Sequence, residues 1–247
     1  MFESILLGLI QGLTEFFPVS SSAHLVMVQS LLPSFPQVDV LFDVMLHMGT
    51  ILAVLVYFRH EILGFLGSFR PGGSPEKRKV VYMVILATIP TGIMGIAFRD
   101  FFHGLFSSPR AAAAFLLVTG AFLWIAESLS KGDTGIEKIG PKKSLALGIA
   151  QGIAIAPGIS RSGATISAAL LMGVRGVDAA RFSFFMSIPA VFGAGVGGLK
   201  DAGEANLSGS SFALGNLGAF ILGPGSYTHL TLPTTRRCEI SVGRVRL

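Results

Sequence analysis

Apolar residues run almost unbroken over 40–58, 80–98, 111–127, 182–199 and 212–223. A helix needs about 20 such residues to cross about 30 Å of hydrocarbon, and the first four runs reach or approach that length. Each is expected to be a membrane-spanning helix. Four shorter runs, 4–17, 20–32, 144–157 and 160–174, form two adjacent pairs, each broken by Pro and Ser. Short, interrupted apolar segments suit re-entrant or broken helices, whose open backbone must be covered by protein or line a cavity. The pattern predicts an all-α polytopic membrane protein.

Charge gives the spans a direction. Segment 59–79, read as a loop, carries Arg59, Arg70, Lys77, Arg78 and Lys79 against Glu61 and Glu76. Segment 128–143 carries Lys131, Lys138, Lys142 and Lys143, whereas 99–110 between them has only Arg99 and Arg110 with Asp100. Basic loops stay cytoplasmic, so 59–79 and 128–143 are placed inside. The loop 200–211, with Lys200 against Asp201 and Glu204, is placed outside.

Composition agrees. Of 247 residues, 51% are hydrophobic and 13% charged, about half the charge of a soluble domain. The net charge of +5 sits in short clusters between apolar runs, so no nucleic-acid partner is expected. The single cysteine, Cys238, excludes an internal disulfide. The early charge is Glu3 and no small-residue cleavage site follows, so a signal peptide is not expected.

The chain repeats itself. Gly8-Leu-Ile-Gln-Gly-Leu matches Gly148-Ile-Ala-Gln-Gly-Ile, with Gln11 on Gln151 and Gly12 on Gly152. The same offset puts Ser20 on Ser160, Ser22 on Ser162 and Phe42 on Phe182. Several matches at one offset indicate a duplication. Run 40–58 leads into a basic loop and its counterpart 182–199 into an acidic one, so the duplication reads as inverted. Inverted repeats bring their broken helices together at a central binding site. The organisation expected is a single membrane domain over 1–223, with repeats at about 1–60 and 144–200 joined by spans within 80–127.

The polar residues are concentrated at the breaks. Gln11 and Glu15 are one turn apart on one helix face, and a carboxylate at membrane depth is a functional candidate by default. Pro18 breaks the first helix, and Ser20 or Ser21 can cap the next. Pro157-Gly-Ile-Ser-Arg-Ser-Gly163 repeats the logic, with Arg161 between Ser160 and Ser162. Two helix N-termini and an Arg would cradle a phosphate. His24, one turn beyond the serines, is a candidate base or nucleophile. Asp43 and His47 share a helix face and are candidates for an outer layer. No Cys/His spacing suits zinc, whereas Mg²⁺ needs only one or two carboxylates and the substrate's own phosphates. Glu15 would serve.

Gln11-Gly-Leu-Thr-Glu15, Pro18-Val-Ser-Ser-Ser-Ala-His24 and Pro157-Gly-Ile-Ser-Arg-Ser-Gly163, in this order and spacing, closely resemble the bacterial undecaprenyl-diphosphatase family, also called bacitracin-resistance proteins. Phe42-Asp43 and Leu46-His47-Met-Gly-Thr50 fit the same family. The resemblance implies an integral membrane phosphatase that hydrolyses undecaprenyl diphosphate to the monophosphate, recycling the lipid carrier for cell-wall synthesis. It implies a divalent cation, Mg²⁺ or Ca²⁺, and a site on the periplasmic side of the bacterial plasma membrane. A homodimer is left open. Carried over by motif, Glu15, Ser21, His24 and Arg161 would be catalytic, with Glu15 also holding the metal. Gln11, Ser20, Ser22, Ser160, Ser162 and Gly163 would bind substrate. Whether Ser21 or His24 attacks phosphorus stays open.

The resemblance stops near Gly223. The polar stretch after it, Pro224-Gly-Ser-Tyr-Thr-His-Leu-Thr-Leu-Pro-Thr-Thr, resembles translated adaptor sequence, and 224–247 is read as a non-native or disordered tail. The rival function is an inverted-repeat transporter or flippase for a lipid phosphate or other anion. It would use Arg161 and the helix ends but has no evident need for Glu15, Ser21 and His24 together.

Overall fold

The computed structural model describes residues 2–32 and 40–201, with Leu217, Ala219 and Ile221. Run 212–223 and loop 200–211 fall largely outside the described residues, and tail 224–247 wholly outside. The elements are α1 (Phe2–Thr14), α2 (Ser21–Gln29), α3 (Val40–Tyr57), α4 (Arg59–Gly67), α5 (Pro75–Ala97), α6 (Arg99–Phe106), α7 (Pro109–Leu129), α8 (Pro141–Ile153), α9 (Arg161–Leu171) and α10 (Gly176–Asp201), with a 3-10 turn at Ile136–Lys138. Eight of these helices coincide with the eight apolar runs expected before residue 200.

α4 and α6 occupy segments expected to be loops. Each opens on charge, Arg59-His-Glu61 and Arg99-Asp100, which hid the apolar residues behind it. α3 and α4 pass as one span only if taken together, and they are bent by 72°. α5, α7 and residues Gly176–Val196 of α10 are long and apolar enough to cross a membrane singly. Only 17% of the α5 and α7 windows is buried, against 56% for α10. α5 and α7 therefore present most of their surface to lipid, while α10 is a wall of the interior.

Orientation follows from two contacts. Lys79 Nζ donates to the Glu137 carbonyl at 2.9 Å, so the two strongly basic segments meet at one end of the bundle. At that end Arg181, near the start of α10, pairs with Glu61, just beyond the end of α3, at 2.9 Å. α3 thus ends where α10 begins. These two helices are equivalent under the sequence offset and run in opposite directions, as an inverted repeat requires.

The repeat is visible in local detail. Gln11 and Gln151 are both buried, as are Phe42 and Phe182. Ser20 caps α2 by accepting from the Ala23 amide, and Ser160 caps α9 by accepting from the Gly163 amide. The hydroxyls of Ser20 and Ser22 lie 3.1 Å apart and those of Ser160 and Ser162 lie 3.2 Å apart.

Packing locks the halves together. Phe16, Val54, Phe58, Phe184 and Phe185 form one apolar cluster across the end of α1, α3 and α10. Phe16 meets Phe184 edge to face at 5.5 Å between ring centroids. A second cluster joins Ala87, Leu147, Phe182 and Met186. α5 and α8 approach closely at Gly148, where an added Cβ would collide with the Ala87 carbonyl and the Pro90 ring. Thr91 Oγ1 donates to the Gly148 carbonyl at 2.9 Å across the same contact. Gly148→Ala is expected to destabilise the fold by about 1–3 kcal/mol, the usual cost of overpacking. Thermal unfolding in detergent would read it, and an unchanged midpoint would contradict the close approach.

Candidate active site

The two turns that interrupt the short helix pairs meet inside the bundle. Glu15 follows directly on α1, its amide still donating to the Gln11 carbonyl at 2.9 Å. The chain then turns through Pro18 to the N-terminus of α2. Its side chain is almost enclosed, 6% exposed. Arg161, the first residue of α9, reaches it from the other half, and its Nη2 pairs with Glu15 Oε1.

The second carboxylate oxygen accepts two hydrogen bonds, with an imidazole beside it. Gln11 Nε2 donates to Glu15 Oε2 at 2.7 Å and Ser21 Oγ donates to it at 2.6 Å. His47 Nε2 lies 3.3 Å from the same oxygen. His47 Nδ1 lies 2.7 Å from the Asp43 carbonyl, which fixes the ring, and Asp43 accepts from Gln29 Nε2 at 2.7 Å. A buried carboxylate needs such partners, because an unpaired one costs several kcal/mol.

Glu15 and Arg161 face a cleft of about 280 Å³, open mouth included, together with Thr50, Ser162, Ser183 and Ser187. Thr50 stands in a motif singled out from the sequence, without a role. Ser183 and Ser187 were missed. They are one turn apart on α10, and paired hydroxyls in an apolar span were the available signal.

The candidate residues thus divide. Gln11, Glu15, Ser21 and Arg161 come together around one carboxylate, with His47 added from the candidate outer layer. Ser20, Ser160 and Gly163 serve the turns. Ser20 Oγ also accepts from the Gly158 amide at 3.2 Å, and Gly163 donates to Ser160 at 3.0 Å. Ser22 pairs with Ser20, and Ser162 reaches the Phe17 carbonyl at 3.4 Å across the halves. Of the candidate residues, Glu15, Arg161 and Ser162 line the cleft, and Ser21 and His24 stand behind that lining. His24 Nδ1 lies 2.9 Å from the Ser20 carbonyl, and the Ser21 hydroxyl donates to Glu15 rather than to His24.

A hard cation fits the donor set. No group of three or more His, Cys, Asp or Glu is placed to hold a metal ion among the described residues. The carboxamide oxygen of Gln11, however, is buried without a hydrogen-bond partner on the helix face that carries Glu15. Mg²⁺ is held by one or two carboxylates when phosphates and water supply the rest, and Glu15 is such a carboxylate.

These features define a class: a multi-pass α-helical membrane protein with a buried polar site at two converging broken-helix turns. The chain belongs to the family described as bacitracin resistance protein BacA, whose pattern matches residues 4–233. That match ends inside the segment read as a tail. The chain is 47% identical over 239 residues to an undecaprenyl-diphosphatase of Syntrophotalea carbinolica, covering 95% of this chain and 90% of that protein. It is 44% identical to an undecaprenyl-diphosphatase of Halothermothrix orenii, covering 90% and 85%. The figure is 43% for one of Carboxydothermus hydrogenoformans, covering 84% and 77%.

Arg161→Ala leaves Glu15 enclosed without its cation and is expected to cost about 3–5 kcal/mol of stability. Adding Glu15→Gln removes the orphaned charge and should restore part of that loss. Chemical denaturation of the three variants checks this, and additive losses would mean that the two groups do not interact.

Proposed function

We propose that this chain is an undecaprenyl-diphosphatase, hydrolysing a polyprenyl diphosphate to the monophosphate and inorganic phosphate. The observation that supports the reading best is a serine hydroxyl hydrogen-bonded to a carboxylate that is itself paired with an arginine. A hydroxyl, a proton acceptor and a phosphate-binding guanidinium are thereby assembled at one point. The names of the relatives point to the same substrate.

Arg161 exchanges Glu15 for the diphosphate and grips it through its planar fork. The Ser162, Ser183 and Ser187 hydroxyls border the cleft beside it. Ser21 Oγ attacks the terminal phosphorus while Glu15 takes its proton. The bond from phosphorus to the bridging oxygen breaks and the lipid monophosphate leaves, taking the proton from Glu15 and restoring the carboxylate. Water then releases phosphate from Ser21, with Glu15 again the acceptor. His24 steadies the first turn of α2 through Ser20. A divalent cation would be held by Glu15 and the Gln11 carboxamide oxygen and would neutralise charge on the diphosphate. Positioning and charge stabilisation supply most of the rate in phosphoryl transfer.

The site is assigned to the outer face of the bacterial plasma membrane on the resemblance of its motifs, with the basic segments 59–79 and 128–143 read as cytoplasmic. All residues used come from one chain.

Phosphate release from undecaprenyl diphosphate by the purified protein in detergent tests the reading. Ser21→Ala and Glu15→Gln should each lower release at least about 100-fold, and a chelator should suppress it. Intact lipid crossing a vesicle membrane without phosphate release would establish transport instead.

A further inference from the structure

The turn that presents Arg161 is held by a residue that none of the motifs contains. Between α8 and α9 the chain passes through Gly158, whose φ of +101° lies in the left-handed region that favours glycine. An added Cβ there would collide with the Ala112 carbonyl of α7. Thr119, on α7 and 5% exposed, closes this turn. Its Oγ1 donates to the Gly158 carbonyl at 2.9 Å and accepts from the Ser160 amide at 3.1 Å. One hydroxyl therefore pairs a donor and an acceptor on either side of Ile159, immediately before Arg161.

This arrangement is not the usual fate of a threonine in an apolar helix. Such a hydroxyl bonds back to the carbonyl one turn earlier, as Thr14 does to Ile10 and Thr88 to Val84. Thr119 spends its single hydrogen on another element instead. Its methyl lies 3.2 Å from where a Cβ on Gly163 would stand, so it also backs the first turn of α9.

We propose that Thr119 is a positioning residue for Arg161, fixing the Gly158–Ser160 turn so that the guanidinium points at Glu15 and the substrate phosphates. The proposal rests on Arg161 acting as the phosphate-binding group. α7 also packs on α2, where Ala23 and Val26 meet Ala112. One helix therefore backs both turns, and Thr119 is its polar contact with the second.

Two substitutions separate the hydroxyl from the methyl. Thr119→Val keeps the shape, removes the hydroxyl and leaves the Gly158 carbonyl and Ser160 amide unpaired. Thr119→Ser keeps the hydroxyl and removes the methyl. At saturating undecaprenyl diphosphate, kcat for phosphate release should fall about 10- to 100-fold in Thr119→Val, the scale of a misplaced positioning group. Thr119→Ser should stay within about threefold of wild type by the same reasoning. The decisive comparison is made in an Arg161→Lys background, where the valine substitution should change the residual rate less than about twofold. An unchanged kcat in Thr119→Val overturns the proposal. So does an equal loss in the serine variant, or the same fold-loss in the lysine background. If Thr119→Val fails to fold, Thr119→Ala replaces it, judged by the same comparisons. An Arg161→Lys rate equal to wild type would instead refute the role given to Arg161.

Discussion

The polar groups at the two converging turns are arranged around one ion pair. Glu15 and Arg161 come from opposite halves of the chain and meet where neither is well solvated. Such a pair holds only if the geometry is good and the remaining lone pairs find donors. Gln11 and Ser21 supply these donors from α1 and α2, and the His47 ring stands beside them from α3. The carboxylate therefore gathers three elements of the first half, and its cation brings in the second. The phenylalanine cluster of Phe16, Phe58 and Phe184 closes over the same junction from the apolar side.

The duplicated turns that carry the pair are not identical. Both must reverse the chain inside the bundle and end in a serine cap. In the first, Pro18 stands where Gly158 stands in the second. Proline locks φ near −65°, so the left-handed residue cannot be Pro18, and it is Ser20 that takes it, at a φ of 59°. In the second turn Gly158 takes the left-handed conformation, and Ser160 keeps an ordinary φ of −68°. A non-glycine residue with positive φ costs about 1–3 kcal/mol, which its surroundings must offset. The Ser20 hydroxyl meets the Gly158 amide, so the strained residue of one turn is tied to the glycine of the other.

Apolar run length and the one-offset matches between halves carried most of the fold. They located eight helices and the meeting of Glu15 with Arg161, because broken helices in an inverted repeat have one place to converge. α4 and α6 were hidden, since nine or fewer residues opening on charge look like a loop. Within the site, spacing showed which residues share a turn but not which way a hydroxyl points. Ser20, expected to bind phosphate, also ties the two turns together, and His24 Nδ1 meets the Ser20 carbonyl. Thr119 and Ser183 were illegible for the opposite reason. Each is a hydroxyl in an apolar span, Ser183 signalled only by Ser187 one turn on, and the packing of α7 and α10 reveals the partner across the bundle.

Charge balance completes the argument. Arg161 is the one cation among the described residues that line the cleft, and it is already neutralised by Glu15. A diphosphate brings several negative charges into this enclosed space. In the proposed exchange Arg161 gives up Glu15, which leaves the carboxylate as a further uncompensated charge beside the phosphates. Buried charge of that size is tolerated only when paired or metal-bound. The same residues that make a resting protein neutral therefore make its substrate complex strongly negative. This imbalance supports the proposed need for a divalent cation entering with the lipid. It also gives Gln11 a reason to be neutral. A second carboxylate at that position would add to the negative charge of the site before any substrate arrived, whereas an amide offers its oxygen without a charge.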